Sequence, residues 1–294
     1  MKILLLGKNG QLGWELHRSL ISFSDLVACG RRDLDLSRRD LLREGIRKLA
    51  PDLIINAAAY TDVDGAERET GIAYEVNAAA PEVLADETQR LGAFLIHFST
   101  DYVFDGTSGR AHQESDPPNP INAYGRTKLQ GELAIQRASH RFIIVRTSWV
   151  YSLRRPCFLT RLLERARSQD VLRIVDDQVG SPTWCRSLAE AVARLVVITN
   201  ALGIEWLEEH QGIYHLAGAG SASRFEWAES ILQLDPKAET QVMQDLQRAK
   251  SHEFPSPAHR PGFSALDCGL FERTFGFQLP GWRTSLDLAL TAPS

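Results

Sequence analysis

Cysteine is scarce in this sequence and never clustered. Cys29, Cys157, Cys185 and Cys268 form no C-x-x-C pair, which argues against a zinc ribbon or a disulfide-stapled scaffold. Long hydrophobic runs are missing too. No stretch approaches the ~20 apolar residues of a membrane span, so no membrane partner is expected. The apolar opening Lys2-Ile3-Leu4-Leu5-Leu6 is too short for a signal sequence and breaks at Gly7-Lys8-Asn9-Gly10. A basic field is likewise absent. The formal net charge is −4, and the arginine pairs at 31–32, 38–39 and 154–155 are dispersed among carboxylates, so no nucleic-acid partner is expected. No internal repeat or low-complexity segment stands out. These absences leave a cytoplasmic, reduced, soluble protein of ordinary composition, 44% hydrophobic and 24% charged.

What is present is alternation. In the first half, short apolar runs at Lys2–Leu6, Leu26–Gly30, Leu53–Asn56, Phe94–Ser99 and Phe142–Arg146 read as strands of a parallel sheet buried on both faces. Helical patterns lie between them at Gln11–Ser22, Arg38–Leu49, Ala73–Arg90 and Ala123–Ala138. Ser37 is the expected N-cap of the second helix, with Asp40 in its first turn. Repeated β-α-β order predicts an α/β, Rossmann-type doubly wound sheet whose ligands bind beyond the carboxyl ends of the strands. After Val150 the alternation weakens. Helices are expected near Phe158–Ser168, Ser187–Thr199 and Arg224–Leu232, strands at Leu172–Asp176 and Gly212–Leu216, and a loop over the proline-containing Phe254–Pro261. Residues 1–150 therefore read as a dinucleotide-binding domain. Residues 151–294 read mainly as a smaller C-terminal substrate-binding lobe, with segments returning to complete the sheet.

Gly7-Lys8-Asn9-Gly10-Gln11-Leu12-Gly13 has the spacing G-x-x-G-x-x-G between the first strand and first helix. Glycine permits positive φ and removes the Cβ that would hold a pyrophosphate away from the backbone. The helix that follows offers free N–H groups and the positive end of its dipole. A glycine triplet alone is weak evidence; this one has the strand before it and the amphipathic helix after it that the motif requires. At the end of the second strand, Gly30-Arg31-Arg32-Asp33 lacks an immediate carboxylate for the adenosine ribose and offers two guanidiniums, suited to a 2′-phosphate. NADPH is favoured, and Asp33 keeps NADH open. Asp35-Leu36 is placed to hold the adenine edge, and Ala57-Ala58-Ala59-Tyr60-Thr61 follows the next buried strand at the binding edge.

Tyr124-Gly125-Arg126-Thr127-Lys128 puts a phenol and an amine four residues apart on one helix face. A free phenol near pKa ~10 is a poor acid at neutral pH, and a neighbouring ammonium is expected to lower it. Such a spacing occurs by chance on many exposed helices. The cofactor loop upstream and Thr100, just after the fourth strand, are what make it a catalytic set. The plain alternative for Thr100 is capping the turn Thr100–Gly106, and for Trp149 it is filling the core behind the fifth strand. The candidate cofactor contacts are Gly7, Asn9, Gly10, Gln11, Leu12, Gly13, Arg31, Asp35, Leu36, Ala58, Ala59, Tyr60, Thr61, Ser99, Tyr124 and Lys128.

Together these residues resemble the extended short-chain dehydrogenase/reductases, through nearly the whole chain. Within that superfamily the sequence is most similar to the dTDP-4-dehydrorhamnose reductase family. The words that carry the resemblance are the glycine loop, Asn56-Ala57-Ala58-Ala59-Tyr60-Thr61-Asp62-Val63-Asp64 and Ser99-Thr100-Asp101-Tyr102-Val103-Phe104-Asp105-Gly106. They continue with Tyr124-Gly125-Arg126-Thr127-Lys128, Arg146-Thr147-Ser148-Trp149-Val150-Tyr151, Asp177-Gln178-Val179-Gly180-Ser181-Pro182-Thr183, Arg260-Pro261 and Ser264-Ala265-Leu266-Asp267. The resemblance implies reduction of the C4 ketone of dTDP-4-dehydro-L-rhamnose to dTDP-L-rhamnose, with a small sugar-nucleotide as the partner. It makes Tyr124 the proton donor, Lys128 its partner, Thr100 the third catalytic member, and Thr100, Asp101 and Trp149 the substrate contacts. Two positions depart from the pattern. Tyr60 stands where relatives often carry another residue, and Gly65 replaces a more usual lysine. Magnesium occurs at a subunit contact in some members; the scattered carboxylates here do not establish such a site, and a homodimer stays open. The competing readings are an epimerase or dehydratase of the same superfamily, which retains its cofactor between turnovers, and a non-catalytic NADP-binding regulatory subunit.

Overall fold

The computed structural model describes residues 1–22 and 24–291. Its centre is a sheet of six parallel strands: β1 (Lys2–Leu6), β2 (Asp25–Cys29), β3 (Leu53–Asn56), β4 (Phe94–Thr100), β5 (Phe142–Thr147) and β6 (Gly212–His215). They run in the order β2-β1-β3-β4-β5-β6. The direction of winding reverses between β1 and β3, which opens a crevice at the carboxyl ends of the strands. β3 and β4 are buried along their whole length, as their unbroken apolar sequences require of central strands covered on both faces. Helices α1 (Gln11–Leu20) and, later in the chain, Cys185–Leu202 cover one face through Leu12, Leu16, Leu188 and Val192. α2 (Arg39–Leu49), α3 (Ala80–Leu91) and α4 (Ala123–Ala138) cover the other, with Leu42, Ile46, Leu84 and Ile135 inside. A further core, built on Tyr151, Leu159, Trp227, Ile231, Trp282 and Leu286, lies in the second half of the chain. No helix among the described residues is long and apolar enough to cross a membrane.

The sheet strands expected from sequence are present within a residue or so at their ends, and β6 returns from the second half to complete the sheet. Three differences have physical causes. Ser37 does not cap α2: its hydroxyl donates to Asp35 Oδ1 at 2.8 Å, and the helix starts after Arg38 without a side-chain cap. Asp245–Ala249 forms a parallel pair with Val171–Val175 that local pattern did not reveal. Its residues are mostly exposed, so pairing rather than burial periodicity defines it. Finally, the single helix expected over Ala73–Arg90 is broken into Thr70–Tyr74, a π-helical turn at Glu75–Ala79, and α3. Pro81 has no N–H to give to the carbonyl of Asn77, four residues back, and the wider turn absorbs the mismatch.

That π-turn fixes the helix bearing the candidate catalytic pair. Gly131 of α4 lies so close to the Asn77 carbonyl that a Cβ would sit 2.1 Å from the oxygen, and Gly125 meets the Tyr102 carbonyl in the same way, at 2.1 Å. From below, the buried Glu132 carboxylate accepts from Arg146 Nη2 of β5 at 2.6 Å and from its Nε at 3.0 Å. Both partners are almost wholly inaccessible to solvent, so removing either would leave an uncompensated charge. Gly131→Ala should lose roughly 1–3 kcal/mol of stability through overpacking, read from urea or thermal denaturation. A variant as stable as the parent would show that the close approach carries no weight.

Candidate active site

Above the carboxyl ends of β1, β3 and β4 lies a cleft of about 2150 Å³. Pockets for one small ligand run to roughly 300–1000 Å³, so this one has room for two molecules side by side. At its floor the glycine loop turns from β1 into α1. Gly7 has φ +87°, and any Cβ there would lie 2.8 Å from the Ala58 nitrogen; a Cβ on Gly13 would lie 2.0 Å from the Gly7 carbonyl. Neither position tolerates a side chain, which is how strand, loop and helix close on one another. Gly10 stands at the N-cap of α1 with no side chain bonded to the helix end and no acid in the first turn, leaving that end for an anion. Gln11 ties the loop to the second half of the chain by accepting from Ser152 Oγ at 2.9 Å.

At the adenosine end, Asp33 is exposed but already engaged. It accepts from Lys8 Nζ at 2.7 Å and from the Gly30 amide at 2.8 Å, and those two bonds hold its carboxyl below the usual range. Asp35 is spent on Ser37, whose amide and hydroxyl it accepts at 2.9 and 2.8 Å. Arg31 and Arg32 are exposed on the cleft rim, and Arg31 has only a 3.4 Å contact with Asp35. An exposed pair of that length is worth ~0–1 kcal/mol, little enough for Arg31 to exchange it for a ligand phosphate.

At the opposite end the side chains of three elements meet. Asn122 caps α4, accepting from the Gly125 amide at 2.8 Å, and its own amide donates to the His259 carbonyl at 2.8 Å. Tyr124 therefore sits in the first turn with its ring on the cleft wall, edge-on to Tyr102 at 6.0 Å. Burial pushes the phenol well above its ordinary pKa, Asp101 and Tyr102 push it further, and only a hydrogen bond with the Thr100 hydroxyl opposes them. Lys128 does not lower it, contrary to the expectation from spacing. Its Nζ points instead at the Phe98 carbonyl, 2.6 Å away, and lies 3.2 Å from His97 Nε2. Thr100 ends β4 and does both things proposed for it: its Oγ1 accepts from the Tyr102 amide at 3.2 Å, capping the turn, and still reaches Tyr124.

Asp101 is buried beneath this group. It accepts from Ser264 Oγ at 2.5 Å, Ser148 Oγ at 2.9 Å and Thr100 Oγ1 at 3.1 Å. Burial outweighs those bonds and pushes its carboxyl up to about 6. Trp149 has φ +42°, a strained value for a residue with a side chain. The twist lays its indole across Gly180, where a Cβ would be 2.3 Å from the ring, with the Arg224 guanidinium 3.5 Å from the ring centroid. The ring thus lines the cleft and also packs toward Trp227 at 5.6 Å.

All the candidate residues named from sequence line this cleft except Gly13, which lies directly behind it. Tyr60 lines it with its hydroxyl turned to Glu69 at 2.6 Å, which pushes the phenol up to about 12. The unusual Gly65 fits that arrangement, since a Cβ there would lie 2.5 Å from Asp62 and 2.6 Å from the Tyr60 hydroxyl. Sequence reasoning missed the basic rim formed by Arg154, Arg155, Arg161 and Arg260. Arg260 pairs with Asp64 at 2.8 Å, and the Arg260-Pro261 word was its only signal. It also missed Thr147, whose buried hydroxyl, like that of Ser99, has no hydrogen-bond partner among the described residues. Both hydroxyls lie on the cleft wall, so their unmet capacity suits a polar ligand there. Among the described residues no group of three or more His, Cys, Asp or Glu side chains is placed to hold a metal ion.

Known proteins resemble this chain in sequence and fold. A family model described as the RmlD substrate binding domain matches residues 1–293. The dTDP-4-dehydrorhamnose reductase of Burkholderia thailandensis is 39% identical over 298 residues, covering 99% of this chain and 98% of the relative. A crystal structure of the dTDP-4-dehydrorhamnose reductase from Clostridium acetobutylicum superposes with a TM-score of 0.90 at 33% identity, over 99% of this chain and 98% of that one. The Bacillus anthracis enzyme of the same name, solved in complex with NADP, gives 0.88 at 31% identity, over 99% of each chain.

Asp101 carries a pH signature. Its folded pKa lies above the ordinary unfolded value, so the fold favours the protonated acid. Stability from this group is full below about pH 4 and is lost as the pH rises through about 6. Asp101→Asn removes that dependence. The melting temperature of the variant relative to the parent should therefore climb between pH 4 and 7; a constant difference would mean that Asp101 titrates normally.

Proposed function

The chain belongs to the RmlD substrate binding domain family, and from that membership we propose that it reduces the C4 ketone of dTDP-4-dehydro-L-rhamnose to dTDP-L-rhamnose in nucleotide-sugar biosynthesis. The observation that carries this reading is the meeting of Thr100, Tyr124 and Lys128 at the carboxyl edge of β4, in a cleft with room for two ligands. The relatives' shared name supports it. So does the NADP in the Bacillus anthracis structure.

NADPH fits the loop and rim better than NADH. The pyrophosphate belongs over Gly7 and Gly10 at the start of α1, and the 2′-phosphate beside Arg31, because the acids of that turn are already bonded to Lys8, Gly30 and Ser37. When bound, the dihydronicotinamide supplies the hydride for the ketone carbon. The protein does the rest. Tyr124 gives its proton to the developing alkoxide, and burial suits it to the task by keeping the phenol protonated throughout the neutral range. Thr100 fixes the same oxygen. Trp149 offers an apolar face to the deoxysugar, and the Asp101 cluster holds Thr100 in register. Residues 1–150 hold the cofactor and residues 151–294 most of the sugar nucleotide, and a cytoplasmic location belongs to this reading.

NADPH oxidation measured against a panel of 4-keto nucleotide sugars tests the substrate. Stoichiometric consumption with dTDP-4-dehydro-L-rhamnose is expected; turnover without net consumption would turn the reading to an epimerase or dehydratase. Tyr124→Phe should cut turnover by ~10²–10⁴ with little change in NADPH binding, and near-parental turnover would remove Tyr124 from the acid role. Arg31→Ala should weaken NADPH more than NADH. Equal losses would reject the 2′-phosphate contact.

A further inference from the structure

His97 sits in the middle of β4, fully buried, with no place in the reaction as described. It is linked at both ring nitrogens. Asn56 Nδ2, at the end of the neighbouring strand β3, is 3.0 Å from Nδ1, and Lys128 Nζ is 3.2 Å from Nε2. The tautomer follows from the far side of this chain of contacts. The Ala58 amide donates to Asn56 Oδ1 at 3.1 Å, so the oxygen of that side chain faces the backbone and its NH2 faces the ring. An amide NH2 only donates, hence Nδ1 accepts and is unprotonated, and the proton of the neutral imidazole is on Nε2. Nε2–H in turn can only donate, and the atom it meets is Lys128 Nζ. An ammonium has no lone pair to accept with; a neutral amine has one, and it still has two N–H groups, one of which reaches the Phe98 carbonyl.

We propose that His97 is a positioning residue whose Nε2–H, set by Asn56, stabilises the neutral amine of Lys128 in its retracted place against β4. Protonation of Lys128 breaks this arrangement, because N–H would then face N–H and flipping Asn56 would only move the clash to the Ala58 amide. The ammonium leaves His97 and turns toward the cleft, where ligand hydroxyls can accept from it. The other ionisable group that acts on Lys128 is Glu132 on its own helix, and Arg146 from β5 already occupies that carboxylate. The surroundings favour the amine, which prevails above about pH 8 and gives way to the ammonium below it. Burial lowers Lys128 to about 8, against a smaller opposing pull from Glu132, and burial drives His97 well below its ordinary value, so the imidazole does not become the charged partner.

The inference rests on the reading of Lys128 as a ligand-facing group of the reductase site, but its test needs no ligand. The midpoint of Lys128 is read from its side-chain Cε resonance in the cofactor-free protein, assigned by its disappearance in Lys128→Arg. The parent should titrate near 8. His97→Leu removes the donor that stabilises the amine and should raise the midpoint by about one pH unit or more, as expected for losing one hydrogen bond to the neutral form. His97→Gln, whose NH2 can replace Nε2–H, should restore it to the parental value. An ordinary midpoint near ~10.4 in the parent overturns the proposal, as does a His97→Leu midpoint equal to the parent's in a protein that melts as a folded domain. If the midpoints move as stated while no keto-sugar nucleotide oxidises NADPH, the substrate assignment falls and the role of His97 stands.

Discussion

The placement of helix α4 is the constraint on which this site depends. Its first turn carries Tyr124 and its second Lys128, so a shift of an ångström in the helix moves both. Three contacts of different kinds hold it. The Glu132–Arg146 pair pins it to β5 in the dry interior, glycines at 125 and 131 let it approach two backbone carbonyls, and Asn122 fixes where it begins. A buried ion pair is a poor source of net stability when weighed against apolar packing, but it tolerates no slippage. Register is what this helix requires.

The π-turn at Glu75–Ala79 extends the same constraint to the other side of the cleft. By rotating Asn77, it lets that side chain accept from the Tyr60 amide at 2.9 Å and donate to the Tyr60 carbonyl at 3.1 Å and to Thr127 at 3.2 Å. One residue thereby couples the segment after β3, where the cofactor contacts are proposed, to the helix of the candidate catalytic pair. Such turns concentrate at functional sites for this reason, since they redirect a side chain without ending the helix.

Charge is handled differently at the two ends of the cleft. At the adenosine end the carboxylates are consumed locally by Lys8 and Ser37, and the arginines remain on the rim in water. At the chemical end the ionisable groups are buried, and burial dominates: it raises Tyr124 and Asp101 and lowers Lys128 and His97. Each of those shifts favours the neutral form. Tyr124 and His97 are thereby neutral at pH 7, whereas Asp101, near 6, and Lys128, near 8, carry charge there and change state within two pH units of each other.

The sequence by itself determined the sheet, the glycine loop and the shared helix face of the candidate catalytic pair. Five apolar runs too long and too unbroken for surface strands could only be buried between helices. A glycine triplet between strand and helix let the two close on one another with no Cβ between them, and Tyr124 and Lys128 had to share a helix face. These are local consequences of steric and hydrophobic pattern. Tertiary structure decided what depended on partners distant in the chain. The retraction of Lys128 onto His97 and Phe98 was hidden because i,i+4 spacing gives a shared face and says nothing of what lies across from it. Ser37 failed as a cap because the helix starts one residue later, after Arg38, with the Ser37 hydroxyl donating to Asp35 outside it. The π-turn needed Pro81 and Gly131, fifty residues apart, read together, and the basic rim needed Arg260 brought back to Asp64 by the fold. Local pattern fixes which faces are buried; only packing fixes which polar groups meet there.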